Sequence, residues 1–323
     1  MTKRVLVTGI TGMVGSHLAD FLLDNTDWDI YGLCRWNDNF ENLEHLFRRI
    51  NSKDRVHLLY GDLNDLPSLL TTVENANPDY VFHLAAQSYP KTSFDAPLET
   101  FETNILGTAK LLEAIRVLKK DPIVHVCASS EVFGRVPKEF LPIHEEVKFH
   151  PASPYAISKV GTDLVGRFYA EAYGLRRGDV FAESTFAKQI AMIEAGMLPP
   201  ILKVGNLDSL RTWSDVRDAV KAYYMLVTEN PTAGEYYNIG GTFSCTVREM
   251  LDYLLSLSTV KNIKVEVDPD RLRPIDADLQ VPDTKKFQAH TGWSPEIPFE
   301  KTMNDLLNYW RERVQNGREF LAR

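Results

Sequence analysis

Cysteine is scarce: the 323 residues contain three, Cys34, Cys127 and Cys245, odd in number and far apart. Nothing resembles C-x-x-C or a Cys/His ligand pair, which argues against a disulfide scaffold and a metal site and fits a reducing compartment. Positive charge is also short, with 36 Lys and Arg against 44 Asp and Glu and a net charge of -8. The two signs are mixed along the chain, so no basic face is offered to nucleic acid or to an anionic membrane, and any anionic ligand has to be held locally. No apolar run approaches the ~18 residues of a membrane span. A strand pattern begins within a few residues of Met1, which argues against a signal peptide. Internal repeats and low-complexity tracts are missing too. The expectation is a cytoplasmic protein with neither nucleic-acid nor membrane partners.

What is present is ordinary globular composition, 44% hydrophobic and 25% charged, enough for one large domain or two unequal ones. The N-terminal half alternates short β-branched runs with amphipathic stretches, as repeated βαβ units around a buried parallel sheet require. Strands are expected at Arg4–Thr8, Ile30–Cys34, Arg55–Tyr60, Tyr80–Leu84 and Ile123–Ala128. Helices are expected at Val14–Leu23, Leu43–Ile50, Leu66–Glu74, Leu98–Lys119 and Tyr155–Tyr173. Beyond Arg176 the pattern becomes looser, with helices at Phe181–Ala195, Val247–Leu257 and Phe299–Arg313 and a strand at Glu235–Ile239. The fold class is therefore α/β, a doubly wound Rossmann-type parallel sheet with a smaller, mixed α/β C-terminal domain. A cofactor domain is expected over about 1–175 and 209–241, and a substrate domain over about 176–208 and 242–323. One join breaks the pattern: after Tyr173-Gly174-Leu175 a strand of ~5 residues and a loop should follow, but the chain passes directly to Arg176-Arg177-Gly178. On the order of a dozen residues are wanting there.

Val5-Leu6-Val7-Thr8-Gly9-Ile10-Thr11-Gly12-Met13-Val14-Gly15 sets three glycines between a strand and a helix, at spacing G-x-x-G-x-x-G. Gly9 permits the turn, Gly12 lets backbone N–H groups approach a pyrophosphate, and Gly15 packs the helix closely on the strand. Such a turn alone is a weak signal; its place after the first strand and before a helix makes it a dinucleotide cradle. Where an NAD enzyme has an acid at the end of the second strand, this chain has Arg35, whose planar fork suits a 2′-phosphate, against the alternative of an exposed surface arginine. NADP is thus favoured over NAD.

Tyr155-Ala156-Ile157-Ser158-Lys159 sets a phenol and an ammonium on one helix face. A tyrosine ordinarily titrates at about 10, and a nearby ammonium makes it a usable acid/base nearer neutrality. This spacing is common by chance. It gains weight from Ser129, Ser130 and Glu131, which emerge where the fifth strand ends, at the edge where open α/β sheets bind ligands. Cys127 beside them lacks a His/Asp arrangement and reads as core.

The glycine motif, Ser129, Tyr155 and Lys159 resemble the extended short-chain dehydrogenase/reductases over nearly the whole chain. Within that superfamily the sequence is most similar to the GDP-mannose 4,6-dehydratases. It shares Ser130-Glu131, Arg176-Arg177-Gly178-Asp179-Val180-Phe181, Gly205-Asn206-Leu207-Asp208-Ser209-Leu210-Arg211 and Arg273-Pro274-Ile275-Asp276. It departs in Ser129 for Thr, Asp276 for Glu, and the stretch Trp36-Asn37-Asp38.

The resemblance implies conversion of GDP-mannose, or a manno-heptose analogue, to the 4-keto-6-deoxy sugar, and a homodimer or homotetramer. It implies catalytic roles for Ser129, Glu131, Tyr155 and Lys159. Met13, Val14, Asp62, Leu63, Leu84, Ala85 and Ala86 complete the expected cofactor lining, and Ser88, Ser130, Lys188, Arg211, Arg273 and Asp276 are expected at the substrate. Arg211 and Arg273 would hold the diphosphate. The alternatives are an NADPH-dependent reductase or epimerase of GDP-4-keto-6-deoxy sugars and, from another class, a non-catalytic sensor of NADP and a sugar nucleotide.

Overall fold

A strand apolar on both sides needs cover on both faces, which helices flanking a parallel sheet provide. The computed structural model describes residues 2–173, 186–272 and 278–315. β1 (Arg4–Thr8), β2 (Asp29–Cys34), β3 (Val56–Tyr60), β4 (Tyr80–His83) and β5 (Ile123–Val126) form a parallel sheet in the order β3-β2-β1-β4-β5. The order reverses at β1, so the chain leaves β1 and β4 to opposite sides and opens a crevice at their carboxyl ends. Val5, Leu6 and Val7 of β1 are completely buried.

α1 (Met13–Asn25), α2 (Phe47–Ser52) and α3 (Leu66–Ala76) follow the first three strands. Asp65 starts α3 sharply, its carboxylate accepting from the Ser68 N–H at 2.9 Å with Pro67 in the first turn. The helix expected over 98–119 is instead a chain of pieces. α4 (Pro90–Asp95) and α5 (Pro97–Phe101) lead into a π-helical turn, Glu102–Leu106, and then α6 (Gly107–Val117). α7 (Pro154–Tyr173) carries the Tyr/Lys pair. One face of the sheet is covered by α1; the other by α3 and α6, whose Leu69, Val73, Leu111 and Ile115 are fully buried. Each such side chain contributes roughly 1.5–3 kcal/mol of gross burial energy.

Further along, α8 (Phe186–Glu194), β6 (Ile201–Val204), β7 (Leu210–Trp213), α9 (Val216–Thr228), β8 (Phe243–Thr246), α10 (Val247–Ser256), β9 (Lys264–Val267), β10 (Leu279–Gln280), α11 (Lys285–Thr291) and α12 (Phe299–Gln315) build a second lobe and its returns to the first. Two small sheets pair here, β6-β9 and β10-β7-β8. α9 goes back to pack on α1, and Phe287 and Trp293 join it in the first core. The second core gathers Ile190, Leu202, Val204, Leu251, Leu254 and Leu307. A reciprocal Thr246/Glu249 capping box starts α10.

Polar ties hold this lobe together and join it to α9. Arg311 on α12 donates from Nε and Nη2 to both oxygens of Glu194 on α8, at 2.7 and 2.9 Å. Burial alone would raise the Glu194 carboxyl, but its bonds from Arg311, the Thr259 N–H and the Ser258 hydroxyl outweigh that and hold it at about 2. Arg217 joins Asp215 and Asp305, each at 2.7 Å.

Residues 235–239, expected as a strand, are in no sheet. A strand needs a neighbouring ladder; here the Asn238 N–H goes to the Glu145 carboxylate at 2.7 Å, and the Asn238 amide to the Ile143 carbonyl. The first residues of the helix expected over Phe181–Ala195, and the short join after Leu175, lie outside the described residues. No helix among the described residues is long and apolar enough to cross a membrane.

Candidate active site

The crevice at the switch point is floored by the glycine turn. Gly9 has φ of 73°, and a Cβ there would lie 2.9 Å from the Ala85 backbone, so β1 and β4 approach as only glycine allows. A Cβ on Gly15 would lie 2.3 Å from the Gly9 carbonyl oxygen, so Gly15 lets α1 start hard against the turn. Gly12 caps α1 with no side chain of its own, and a Cβ there would meet only the Gly9 oxygen, at 3.3 Å. The mouth of the turn is open, with the N–H groups of Met13 and Val14 at the positive end of a 13-residue helix. These residues fit a dinucleotide pyrophosphate.

The walls follow from the neighbouring strands. The Thr8 hydroxyl accepts from the N–H groups of Leu84 and Ala85, at 3.2 and 3.1 Å, and shares a hydrogen bond with His83, fixing the path of Leu84-Ala85-Ala86 across the crevice. Asp62 and Leu63 leave β3; Leu63 is buried against Gly107, and Asp62 turns the chain by accepting from the Asn64 N–H. Arg35 is at the end of β2, its side chain 63% exposed and paired with Asp38 at 2.9 Å.

Opposite the turn, β5 ends in the predicted catalytic stretch. Ser129 caps a 3-10 turn, Ser130–Phe133, by accepting from the Glu131 N–H at 3.2 Å. α7 packs against that turn and against β5. Tyr155 is completely buried, and Ser129, Glu131 and Lys159 are all nearly so. The Lys159 ammonium donates to the Cys127 carbonyl at 2.7 Å, which anchors it at the β5 end. A phenol, an ammonium and a carboxylate, all shut off from solvent, are thus grouped at the β5 end, the types of group that acid/base chemistry needs.

Sequence reading missed what positions this group. Asn104, in the π-helical turn, is 2% exposed. Its side chain accepts from the Gln87 N–H at 2.8 Å and donates to the Gln87 carbonyl at 3.0 Å and the Ser158 hydroxyl at 2.8 Å. Its carbonyl accepts from Thr108 and from Thr162 on α7. One asparagine therefore ties the cofactor wall to the catalytic helix. Its signal was legible: Thr100, Asn104 and Thr108, four apart, are polar residues on one face of a helix that buries that face. Ser93, whose hydroxyl accepts from the Tyr155 N–H at 3.0 Å, carried no such signal.

The expected substrate residues are less gathered. Ser130 is half-buried beside Ser129 and Ser88 is exposed on the loop after β4. Arg211, on β7, donates to Gln280 at 2.6 Å. Lys188, on α8, lies over the Trp310 ring, 5.4 Å from its centre, and so belongs to the packing of α8 on α12. Arg273 and Asp276 lie outside the described residues. A cavity of about 100 Å³ opens beside Ser129 and Ser130, walled by Arg167, Tyr236, Asn238 and Gln280. A larger, open hollow of about 570 Å³ lies at the opposite edge of the sheet around Asp24, Trp28 and Arg55 and includes none of the predicted site residues. Among the described residues no group of metal-ligating side chains converges.

A buried phenol and ammonium one turn apart, leaning on the β5 edge across from a dinucleotide turn, define the extended short-chain dehydrogenase/reductases. Comparison with known proteins narrows this: the chain belongs to the GDP-mannose 4,6 dehydratase family, whose model matches residues 6–306. It is 34% identical to GDP-mannose 4,6 dehydratase 1 of Arabidopsis thaliana, over 95% of this chain and 89% of that one. It is 30% identical to GDP-6-deoxy-D-mannose reductase of Pseudomonas aeruginosa, over 98% and 99%. The solved structure of RMD from Pseudomonas aeruginosa, complexed with NADPH, superposes with a TM-score of 0.80 at 28% identity, covering 97% of this chain and 100% of that one.

Proposed function

We propose that the chain is a cytoplasmic nucleotide-sugar 4,6-dehydratase that converts GDP-mannose, or a GDP-manno-heptose, to the 4-keto-6-deoxy sugar. The observation that carries this reading is the buried carboxylate of Glu131 in one cluster with Tyr155, Lys159 and Ser129. A simple alcohol oxidation needs the phenol; loss of water from C5 and C6 also needs a second base.

Gly9, Gly12, Gly15 and the first turn of α1 would hold the dinucleotide, NADP with NAD as the alternative, and Arg35 would be the group available to a 2′-phosphate. When bound, that cofactor supplies a hydride acceptor at C4 and a hydride donor at C6, with no net change. Tyr155 takes the proton of the C4 hydroxyl while Ser129 hydrogen-bonds the C4 oxygen. Lys159, anchored on the Cys127 carbonyl, favours the phenolate. The 4-keto group acidifies C5, from which Glu131 removes the proton and passes it to the departing C6 hydroxyl, which leaves as water; as C6 is reduced, C5 takes the proton that Tyr155 holds, which restores the phenolate. Arg211 and Arg273 serve the diphosphate, Asp276 the nucleotide ribose, and Lys188, Ser88 and Ser130 the remaining contacts. The cofactor domain is read as about 1–175 with 209–241, and the substrate domain as about 176–208 with 242–323.

Incubation with GDP-mannose and catalytic NADP tests this by mass spectrometry and reduced-nicotinamide absorbance. Loss of one water without net cofactor reduction is expected. No dehydration, with stoichiometric NADPH oxidation by a GDP-4-keto-6-deoxy sugar, would move the assignment to the reductase reading that the Pseudomonas aeruginosa relative supports. Glu131→Gln is expected to abolish dehydration with cofactor affinity retained.

Ile157, Leu164 and Phe168 leave an apolar stripe on α7 that is 46%, 53% and 56% exposed. That stripe supports a homodimer, or a tetramer built from it. Leu164→Asp should yield monomers by size exclusion with light scattering.

A further inference from the structure

The stretch after β2, where this chain departs from its resemblance, doubles back on itself. Asp38 ends the turn Arg35-Trp36-Asn37-Asp38 and is only 14% exposed at its side chain. Its carboxylate accepts from the Arg35 N–H at 3.0 Å, from Arg35 Nε at 2.9 Å and from the Thr11 hydroxyl at 3.2 Å. Asn42 braces the same place by donating to the Thr11 carbonyl at 2.9 Å. The carboxylate therefore stands between the end of β2 and the glycine turn. A dinucleotide lying across that turn brings its adenosine ribose there. With burial as the larger cause, the Asp38 charge also pushes the buried Cys34 thiol up to about 12.

Two chemistries meet at this point. A ribose 2′-hydroxyl can donate to the carboxylate, as to the acid that NAD sites place about 20 residues beyond the glycine motif. A 2′-phosphate is repelled by it, and finds an Arg35 whose Nε is already engaged, so that half of the guanidinium fork is spent before the ligand arrives. Resting on the dinucleotide reading above, we infer that Asp38 is a cofactor-specificity residue opposed to Arg35. It admits NAD through the 2′-hydroxyl and holds Arg35 back from the 2′-phosphate of NADP. The acid is not lost from the end of β2; it sits three residues further along and returns to the strand end through a turn.

The test is binding alone, without sugar, so that it is independent of the dehydratase reading. Dissociation constants for NAD and NADP are measured by calorimetry for the wild type, Asp38→Asn and Asp38→Ser; the asparagine keeps the side-chain shape and the turn. The ratio of NADP to NAD affinity is expected to rise at least tenfold in both variants, through tighter NADP and weaker NAD. A ratio changed less than threefold overturns the proposal. So does an equal loss of both cofactors, which would make Asp38 a brace of the turn. Unchanged melting temperatures separate these outcomes from misfolding, and Arg35→Ala should move the ratio the opposite way.

Discussion

The two lobes are held together differently. The first is a continuous ladder from β3 to β5 sealed by apolar faces, with the glycine turn and the β5 edge set by backbone. The second rests on small sheets of four residues or fewer per strand, and ion pairs between residues far apart in sequence pin it, Glu194 with Arg311 between its own helices and Asp305 with Arg217 on α9, which packs on the first core. On the proposed reading, the first half would carry the groups whose geometry has to hold to fractions of an ångström, while the second would meet the variable part of the substrate. Chemistry and choice of substrate can then change separately.

Tyr155→Phe breaks the comparison most sharply, since it removes one oxygen from the first lobe and leaves its packing whole. Turnover should fall by about 10²–10⁴, with an unchanged melting temperature and dinucleotide affinity; a fall in stability would mean that the phenol oxygen is structural. Asn104→Leu comes next. It leaves the Ser158 hydroxyl and both Gln87 backbone groups short of a partner, at a cost of about 3 kcal/mol in urea unfolding. Loss of kcat should exceed any change in KM, because the catalytic helix and the cofactor wall come apart together.

The smallest effect is expected in the second lobe. Glu194→Gln should cost about 2 kcal/mol, read from thermal unfolding. The Glu194 carboxyl is held at about 2 in the folded state against 4.5 ordinarily. Its stabilisation is therefore full above pH 4.5 and is lost as pH falls towards 2. The gap between wild type and variant should be constant at neutral pH and close on acidification. A gap that widens in acid would show that Glu194 is not held as the ion pair.

The same contrast explains what could be read in advance. Val5-Leu6-Val7 and the glycines at 9, 12 and 15 are local patterns whose period and spacing report the structure directly, and the first sheet matched its expected strands to within a residue or two. Residues 235–239 have strand composition, yet their backbone is satisfied by Glu145, about ninety positions earlier in the chain, which no local window contains. The packing of Lys188 over Trp310 depends likewise on α12, more than a hundred residues further along the chain. The departure at Trp36-Asn37-Asp38 is plain in the sequence, but the return of the Asp38 carboxylate to the β2 end is not, because it depends on a turn whose path Thr11 helps to set.

The π-helical turn at Glu102–Leu106 is what one surplus residue does to an α-helix. A single deletion there would restore the regular pitch, with Thr100 and Leu111 still facing inward. Such a shortened helix would pack well enough; what it would give up is the slack at Asn104 that lets one carbonyl serve two hydroxyls. The helix carries a residue that its own stability does not require, and its length records a demand made from outside it, by the chemistry next door.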